Sequence, residues 1–599
     1  MSTLDLGVIG NSCIAALISR SARIEWCCFP RLDGDPLFCS LLHGGDGKDA
    51  DGSFDVAPEG AIPVSQRYRG NTGVLETELA DGDGGALKVT DFAPRFKRYG
   101  RIFRPAMLVR RIEPTRGRPR LRVRVRPRCE YGAETPVRIP GSNHVRFCCD
   151  DVTLRLTTDA PISYVTEEVP FPLDGPVNFI LGPDEPPTES LSRLVRDYLE
   201  QTEEYWIDWV RDLSVPFEWQ SAVIRAAITL KLCAFEETGA IVAALTTSIP
   251  EAAGSSRTWD YRYCWMRDAY FVVHALNRLG ATRTMEDYLR FVTTVATSEP
   301  ERRLKPVYPV VPGRDMTERL ARGLAGYRGM GPVRIGNAAA LQTQNDVYGS
   351  VILAAAQMFY DERLPRPGDR ALFQQLERLG EQAAARAFDP DAGPWEYRGR
   401  VATHTFSSAM CWVACSRLAK IARNLGLDER ALHWDHEAER IRATICARAW
   451  DAERNTFVAS FDGREIDASL LLLQEIGFVP ARDPRFLGTL AAVERELRRG
   501  SFLFRYTRAD DFGTPITAFL VCAFWYVDAL AAVGRREEAR AIFEQMLARR
   551  NHLGLLSEDV DATTGELWGN FPQTYSLVGL IVSATRLSRS WEAGLWPES

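Results

Sequence analysis

Histidine is scarce in this chain: seven in 599 residues, scattered without the spacing that a bound metal requires. The glycine-rich stretch Gly326–Pro332 fails the dinucleotide-binding pattern, because Arg334 takes the place of the third glycine and Pro332 removes an amide donor. No Gly-x-Ser-x-Gly occurs, which removes the nucleophile elbow of serine hydrolases. No Cys-x-x-Cys occurs either. The thirteen cysteines include the adjacent pairs Cys27-Cys28 and Cys148-Cys149, poor material for a disulfide framework, so reduced, mostly buried thiols are expected. Long apolar runs are missing: Ala518–Gly534 is interrupted by Asp528 and falls short of a membrane span. Residues 1–7 lack the basic and apolar regions of a signal peptide, which points to a cytoplasmic protein. Only six of the 73 basic residues are lysine, and the arginines of Arg118–Arg128 alternate with Leu and Val as on a solvated strand face. With a net charge of −6, the chain has no electrostatic attraction for a polyanion. Neither nucleic acid nor a membrane is an expected partner, and no metal or cofactor is called for.

What is present is an ordinary globular composition, 45% hydrophobic and 25% charged, in a chain long enough for at least two domains. Residues 1–185 alternate with period two between Gly, Pro and Asp turns. Strands are expected at Leu87–Phe92, Leu121–Arg126, His144–Cys148 and Val152–Thr157, in an antiparallel β-sandwich. Residues 186–216 read as a helical linker, with an amphipathic pattern from Glu189 to Leu213. From 217 to 599 the period is helical, with about a dozen helices starting near 219, 266, 282, 345, 369, 404, 428, 466, 485, 515, 535 and 572. An even dozen joined by alternating short turns and long loops makes six hairpins, which close into an (α/α)6 barrel. A helical solenoid would carry a fixed repeat, and none is visible. The fold class is therefore mainly α with an all-β N-terminal domain. The loops Thr297–Asn345, Asp389–Thr403, Gly500–Pro515 and Asn551–Pro572 should gather at one end and form the site.

Between Ser256 and Asp268 aromatics and charges are densest. Trp259, Tyr261, Tyr263 and Trp265 fall on alternate positions, so an extended backbone turns four rings one way and Asp260 and Arg262 the other. The period then becomes helical, with Asp268 on the apolar face, where a carboxylate is costly unless paired. Two readings fit: a stacking surface for a sugar, or an ion-paired core segment.

Two acidic loops stand out. In Gly393–Gly399, Glu396 lies between Trp395 and Tyr397; a partly desolvated carboxyl there suits a general acid, although an exposed turn glutamate fits the same letters. In Leu553–Asp561 apolar residues lead straight into Glu558, Asp559 and Asp561, and Gly565–Gln573 follows. Calcium is a competitor, but the twelve-residue EF-hand loop is not matched, and helix capping by Asp559 or Asp561 fits better. His274, inside an apolar helix, reads as a core histidine. Paired carboxylates on separate loops of one rim are the apparatus of glycoside hydrolysis.

Together these motifs resemble bacterial members of glycoside hydrolase family 15, the glucoamylase, glucodextranase and trehalase group. The similarity runs nearly end to end, through Ile9–Asn11, Trp26–Asp33, Trp265–Asp268, Gly326–Gly349, Trp395-Glu396, Phe524-Trp525, Leu555–Asp559 and Gly569–Gln573. The resemblance implies a β-sandwich followed by an (α/α)6 barrel. It implies that Glu396 is the general acid, Glu558 the general base, and Arg267 and Asp268 the grip on the non-reducing glucose. Trp259, Tyr261, Trp395 and Trp568 would be pocket walls. It also implies inversion, with the two carboxyls roughly 6.5–9.5 Å apart and β-glucose released.

Two features depart from the family. Pro515–Ala518 stands where relatives carry an acidic residue ahead of the helix with Phe524-Trp525, and the sandwich loop Pro30–Asp35 is expected to shape the pocket differently. The expected function is an exo-acting inverting hydrolase of small α-glucosides, trehalose or malto- or isomalto-oligosaccharides. The alternative is a catalytically idle carbohydrate-binding or regulatory protein, against which the retention of both glutamates speaks. The expected partner is a small sugar, and the wide sandwich–barrel surface has room for a homodimer.

Overall fold

The computed structural model describes residues 3–44, 51–298 and 303–595. Residues 1–2 of the N-terminal reading and 299–302 of the loop Thr297–Asn345 lie outside the described residues. The alternation in the first part forms two antiparallel sheets, of seven and eight strands, stacked face to face. On strand Arg120–Arg126, Leu121, Val123 and Val125 are buried while the intervening arginines stay nearer the surface, as a period of two requires. Phe54 of one sheet meets Phe179 of the other edge to face, with centroids 5.9 Å apart. The four expected strands are found as Ala86–Phe92, Arg120–Arg126, His144–Cys148 and Thr153–Thr158.

The cysteine expectation needs one correction. Cys129 and Cys149 are joined in a disulfide, while the other eleven thiols are free. An adjacent pair disfavours a bond only between its own members; here strand His144–Cys148 carries Cys149 past its end, toward the loop that holds Cys129.

The linker helix, Leu191–Arg211, buries Val195 and Leu199 against the sandwich residues Val74, Phe92 and Val109. Its Trp206 belongs to the barrel core. Twelve helices then build the barrel, labelled α1 Gln220–Cys233, α2 Met266–Arg278, α3 Thr282–Ser298, α4 Asp346–Ala356, α5 Arg370–Arg386, α6 Thr405–Asn424, α7 Asp428–Arg448, α8 Leu472–Glu475, α9 Pro484–Leu497, α10 Leu520–Ala532, α11 Arg536–Leu547 and α12 Thr574–Leu587, and a short helix, Trp591–Leu595, follows them.

The even-numbered helices touch one another in a closed ring, and each odd-numbered helix packs outside it, so every hairpin runs from the outer layer to the inner. This is the expected (α/α)6 barrel. Inner helix α10 is apolar nearly all round because neighbours cover every side. Outer helix α1 is equally buried, since the first sandwich strands share its core through Leu6 and Val8.

Two helix starts differ from expectation. The fourth inner helix is a 3-10 turn, Ala468–Leu471, followed by the single turn of α8. α10 begins at Leu520 because Ala518–Phe519 pairs as a strand with Asp559–Val560, which pairs in turn with Leu567–Trp568. No helix among the described residues is long and apolar enough to cross a membrane.

Candidate active site

The entrances of all six inner helices contribute to one pocket, from Arg267 in the first turn of α2 round to Tyr575 in the first turn of α12. Helix N-termini carry partial positive charge, which favours carboxylates at that end. All four loops expected at the site reach this pocket. So does a further one, 234–265, which supplies Trp259, Tyr261 and Trp265.

The Ser256–Asp268 segment has two faces, one turned to the pocket and one ion-paired in the core. Tyr261 and Trp265 turn into the pocket, edge to face with centroids 5.3 Å apart. On the other face the fully buried Arg262 and Asp260 form a two-pronged ion pair, Nε to Oδ1 at 2.9 Å and Nη2 to Oδ2 at 2.8 Å. Arg262 reaches on into the sandwich, donating to the Gly34 carbonyl at 2.7 Å and to the Tyr131 hydroxyl at 3.2 Å. The loop Pro30–Asp35 thus supports the pocket strand from behind and does not line the pocket. Tyr263 stays outside the pocket as well; its hydroxyl accepts from the Gly336 amide.

Glu396 sits in the left-handed region at φ +59°, a conformation costly for a non-glycine residue and common at functional sites. The Gln342 amide holds it there by donating to the carbonyls of Glu396 and Tyr397. The preceding turn needs Gly393, at φ +69°, because a Cβ there would lie 2.6 Å from the His404 ring. Three donors converge on Oε1 of Glu396: the Trp265 indole at 2.5 Å, the Gln344 amide at 3.2 Å and Arg267 at 3.4 Å. Glu396 lines the pocket, and none of these donors reaches its Oε2.

Glu558 is 1% exposed. Its Oε1 accepts from the Tyr261 hydroxyl at 2.6 Å, and its Oε2 has no hydrogen-bond partner among the described residues. Burial, with the charges of Glu251 and Asp559 beside it, pushes this carboxyl well above the usual range. Gly569 lets it fit: a Cβ there would stand 2.6 Å from the Glu558 Cβ.

Arg267 donates to Asp346 at 3.1 Å and lies 3.8 Å from Asp268. Burial raises Asp268 to about 7 against the pull of Arg267. Trp395 lines the wall, its indole fixed by Asp467 at 2.9 Å. Trp259 stands toward the mouth with its indole on Glu251 at 3.1 Å.

Trp568, expected as a wall, is not one. It is buried edge-on against Tyr327, with Arg328 over its ring, because its strand pairs away from the pocket behind Asp559. Thr517, in the segment that lacks the family's acidic residue, bonds instead to Asp559 and to the Glu251 carbonyl.

The sequence reading missed Glu251, Arg505, Arg257 and Asp510. Arg505 and Glu251 form an ion pair beside Glu558, and Arg257 pairs with Asp510 on the same side of the pocket. Glu251 stands in a loop of small residues with no period to mark it. Arg505 and Asp510 were discoverable, since they lie in the loop Gly500–Pro515 already expected at the site. Asp561 points elsewhere and caps its own turn through the amides of Thr563 and Thr564. His274 is half-buried, and desolvation with Arg278 nearby lowers its pKa to about 4.

An (α/α)6 barrel preceded by a β-sandwich, with Arg267, Asp268, aromatic rings and two glutamates lining one pocket, is the arrangement of a glycoside hydrolase. The chain belongs to the glycosyl hydrolases family 15: the family's profile matches residues 219–585, and the profile described as trehalase-like, N-terminal, matches residues 4–163. It is an α-glucoside hydrolase. A trehalase of Thermoplasma volcanium is 32% identical over 606 residues, covering 98% of this chain and 93% of the relative. A trehalase of Mycolicibacterium smegmatis is 31% identical, covering 98% and 91%. The crystal structure of a bacterial glucoamylase complexed with acarbose shares the fold, with a TM-score of 0.69 at 13% identity over 98% of this chain and 94% of that one.

Proposed function

We propose that this protein hydrolyses trehalose with inversion at the attacked carbon, Glu396 acting as general acid and Glu558 as general base. The observation that carries this reading is the contrast between the two carboxyls. Glu396, which lines the pocket, has three donors on one oxygen and none of them on the other; Glu558 has one oxygen held by Tyr261 and the other without a partner among the described residues. One glucose ring occupies the closed end, its hydroxyls gripped by Arg267 and Asp268, and the second lies toward the mouth. Oε2 of Glu396 gives its proton to the glycosidic oxygen as the C–O bond breaks. Oε2 of Glu558 takes a proton from the water that attacks from the opposite face. Relatives named trehalase that align over nearly the whole chain support the choice of substrate. Residues 1–185 would then be the supporting sandwich, 186–216 the linker and 217–599 the catalytic domain of a cytoplasmic enzyme.

The test is NMR of the first products from trehalose. Inversion yields α- and β-glucose in equal amounts, because the departing ring keeps its α configuration and the attacked ring becomes β. Glucose that is initially all α would mean retention and overturn the acid–base assignment.

A further inference from the structure

The pocket has a direction. Its floor, with Trp265, Arg267, Asp268 and Tyr575, is buried, whereas Arg398 and Asp511 on its opposite side are exposed and Trp259 and Phe512 half-buried. A glucose that enters first is therefore the one cleaved off, and whatever it is linked to lies at the mouth. At that mouth the loops are tied together. Arg398, from the loop before α6, sends its two terminal nitrogens to the two oxygens of Glu318, from the loop before α4, at 2.9 and 2.6 Å. The amides of Arg398 and Gly399 both donate at 2.9 Å to Asp511, from the loop before α10. The same guanidinium lies 4.2 Å from the ring centre of Trp259, which meets Phe512 edge-on at 4.9 Å. Arg334 donates to Glu318 as well, at 2.9 Å. Two-pronged arginine–carboxylate pairs are geometrically rigid, and a guanidinium on an indole adds attraction.

We propose that Arg398, clasped between Glu318 and Asp511 over Trp259, is a specificity-determining residue that restricts the leaving group to a single sugar ring. The inference rests on the glycosidase reading of Glu396 and Glu558. One ring beyond the cleaved bond stacks within the frame of Trp259, Arg398 and Phe512. A third ring meets the clasp, so a disaccharide is processed and a longer chain is turned away.

The test measures kcat/KM of the full chain and of R398A and E318Q on trehalose, maltose and maltotriose. The wild type should favour either disaccharide over maltotriose. R398A should raise the maltotriose-to-maltose ratio about tenfold, the size of effect one pocket contact can exert on selectivity, and E318Q should move it the same way by releasing Arg398. An unchanged ratio in both variants overturns the proposal, as does a wild type that takes maltotriose as readily as maltose. A wild type inactive on trehalose but active on maltose would sink the substrate assignment alone, and the maltotriose-to-maltose ratio would still decide the clasp. Where the wild type cleaves trehalose alone, trehalose extended by one glucose on its departing ring takes the place of maltotriose and trehalose that of maltose, and the same ratio decides the clasp; inactivity on every sugar overturns both.

Discussion

The Tyr261 hydroxyl donates to Glu558 at 2.6 Å, and Tyr261 rests edge-on against Trp265, whose indole donates to Glu396 at 2.5 Å. Two rings four residues apart on one segment thus hold the two carboxyls in a common frame, one ring for each. Replacing either glutamate by glutamine keeps the shape and removes the proton chemistry. E396Q and E558Q should each lose at least about 10²-fold in kcat, measured by glucose release at saturating substrate.

Tyr261→Phe removes the donor that favours ionised Glu558. A carboxylate that loses a hydrogen bond holds its proton more tightly, and a general base works only when ionised. The acidic limb of the pH–rate profile should therefore move to higher pH. An unmoved limb would show that Tyr261 does not tune this carboxyl.

Gly569→Ala should impair catalysis beyond any effect on stability. The residue sits at φ +75°, and the new methyl would lie 2.6 Å from the Glu558 Cβ and 2.8 Å from its Oε2. The check is kcat against unfolding midpoint; a variant with normal kcat would mean that the Glu558 loop yields freely.

Stability should fall from pH 6 to pH 9. Burial raises Asp268, Asp391 and Asp528 to about 7 and Asp559 to about 8. These groups bind protons more tightly folded than unfolded, so their contribution is complete below the ordinary carboxylate pKa and is lost as pH rises through those folded values. Thermal unfolding followed across that window tests the sign, and a midpoint that rises toward pH 9 would contradict it.

Much of the site was legible because local pattern and chemistry coincide. The alternation of Trp259 to Trp265 is visible as letters, and so are Glu396 behind a tryptophan and Glu558 at the end of an apolar run. Glu251 and Arg505 were hidden because their pairing spans 254 residues and follows no period. Trp568 was misread because an aromatic beside Gly569 has the same letters whether its strand faces the pocket or backs onto Tyr327. The disulfide gave no signal, since a separation of 20 residues marks no motif. The stub of α8 was read as a full helix because its leucines satisfy the helical period, while Gly477, at φ +80°, and Pro480 close it early.

Arg262→Gln should cost about 3–5 kcal/mol, because it strips Asp260 of its partner inside the core; denaturant unfolding measures it. The wider meaning lies in where that guanidinium ends. It belongs to the barrel chain, yet the Gly34 carbonyl and Tyr131 hydroxyl that satisfy it belong to the sandwich. The two halves are therefore not interchangeable modules. A barrel grafted onto a foreign sandwich would keep both glutamates and still hold them through Tyr261 and Trp265 of a segment without its backing. A substitution near residue 34 or 131 therefore acts on the segment behind the two glutamates without touching the sugar.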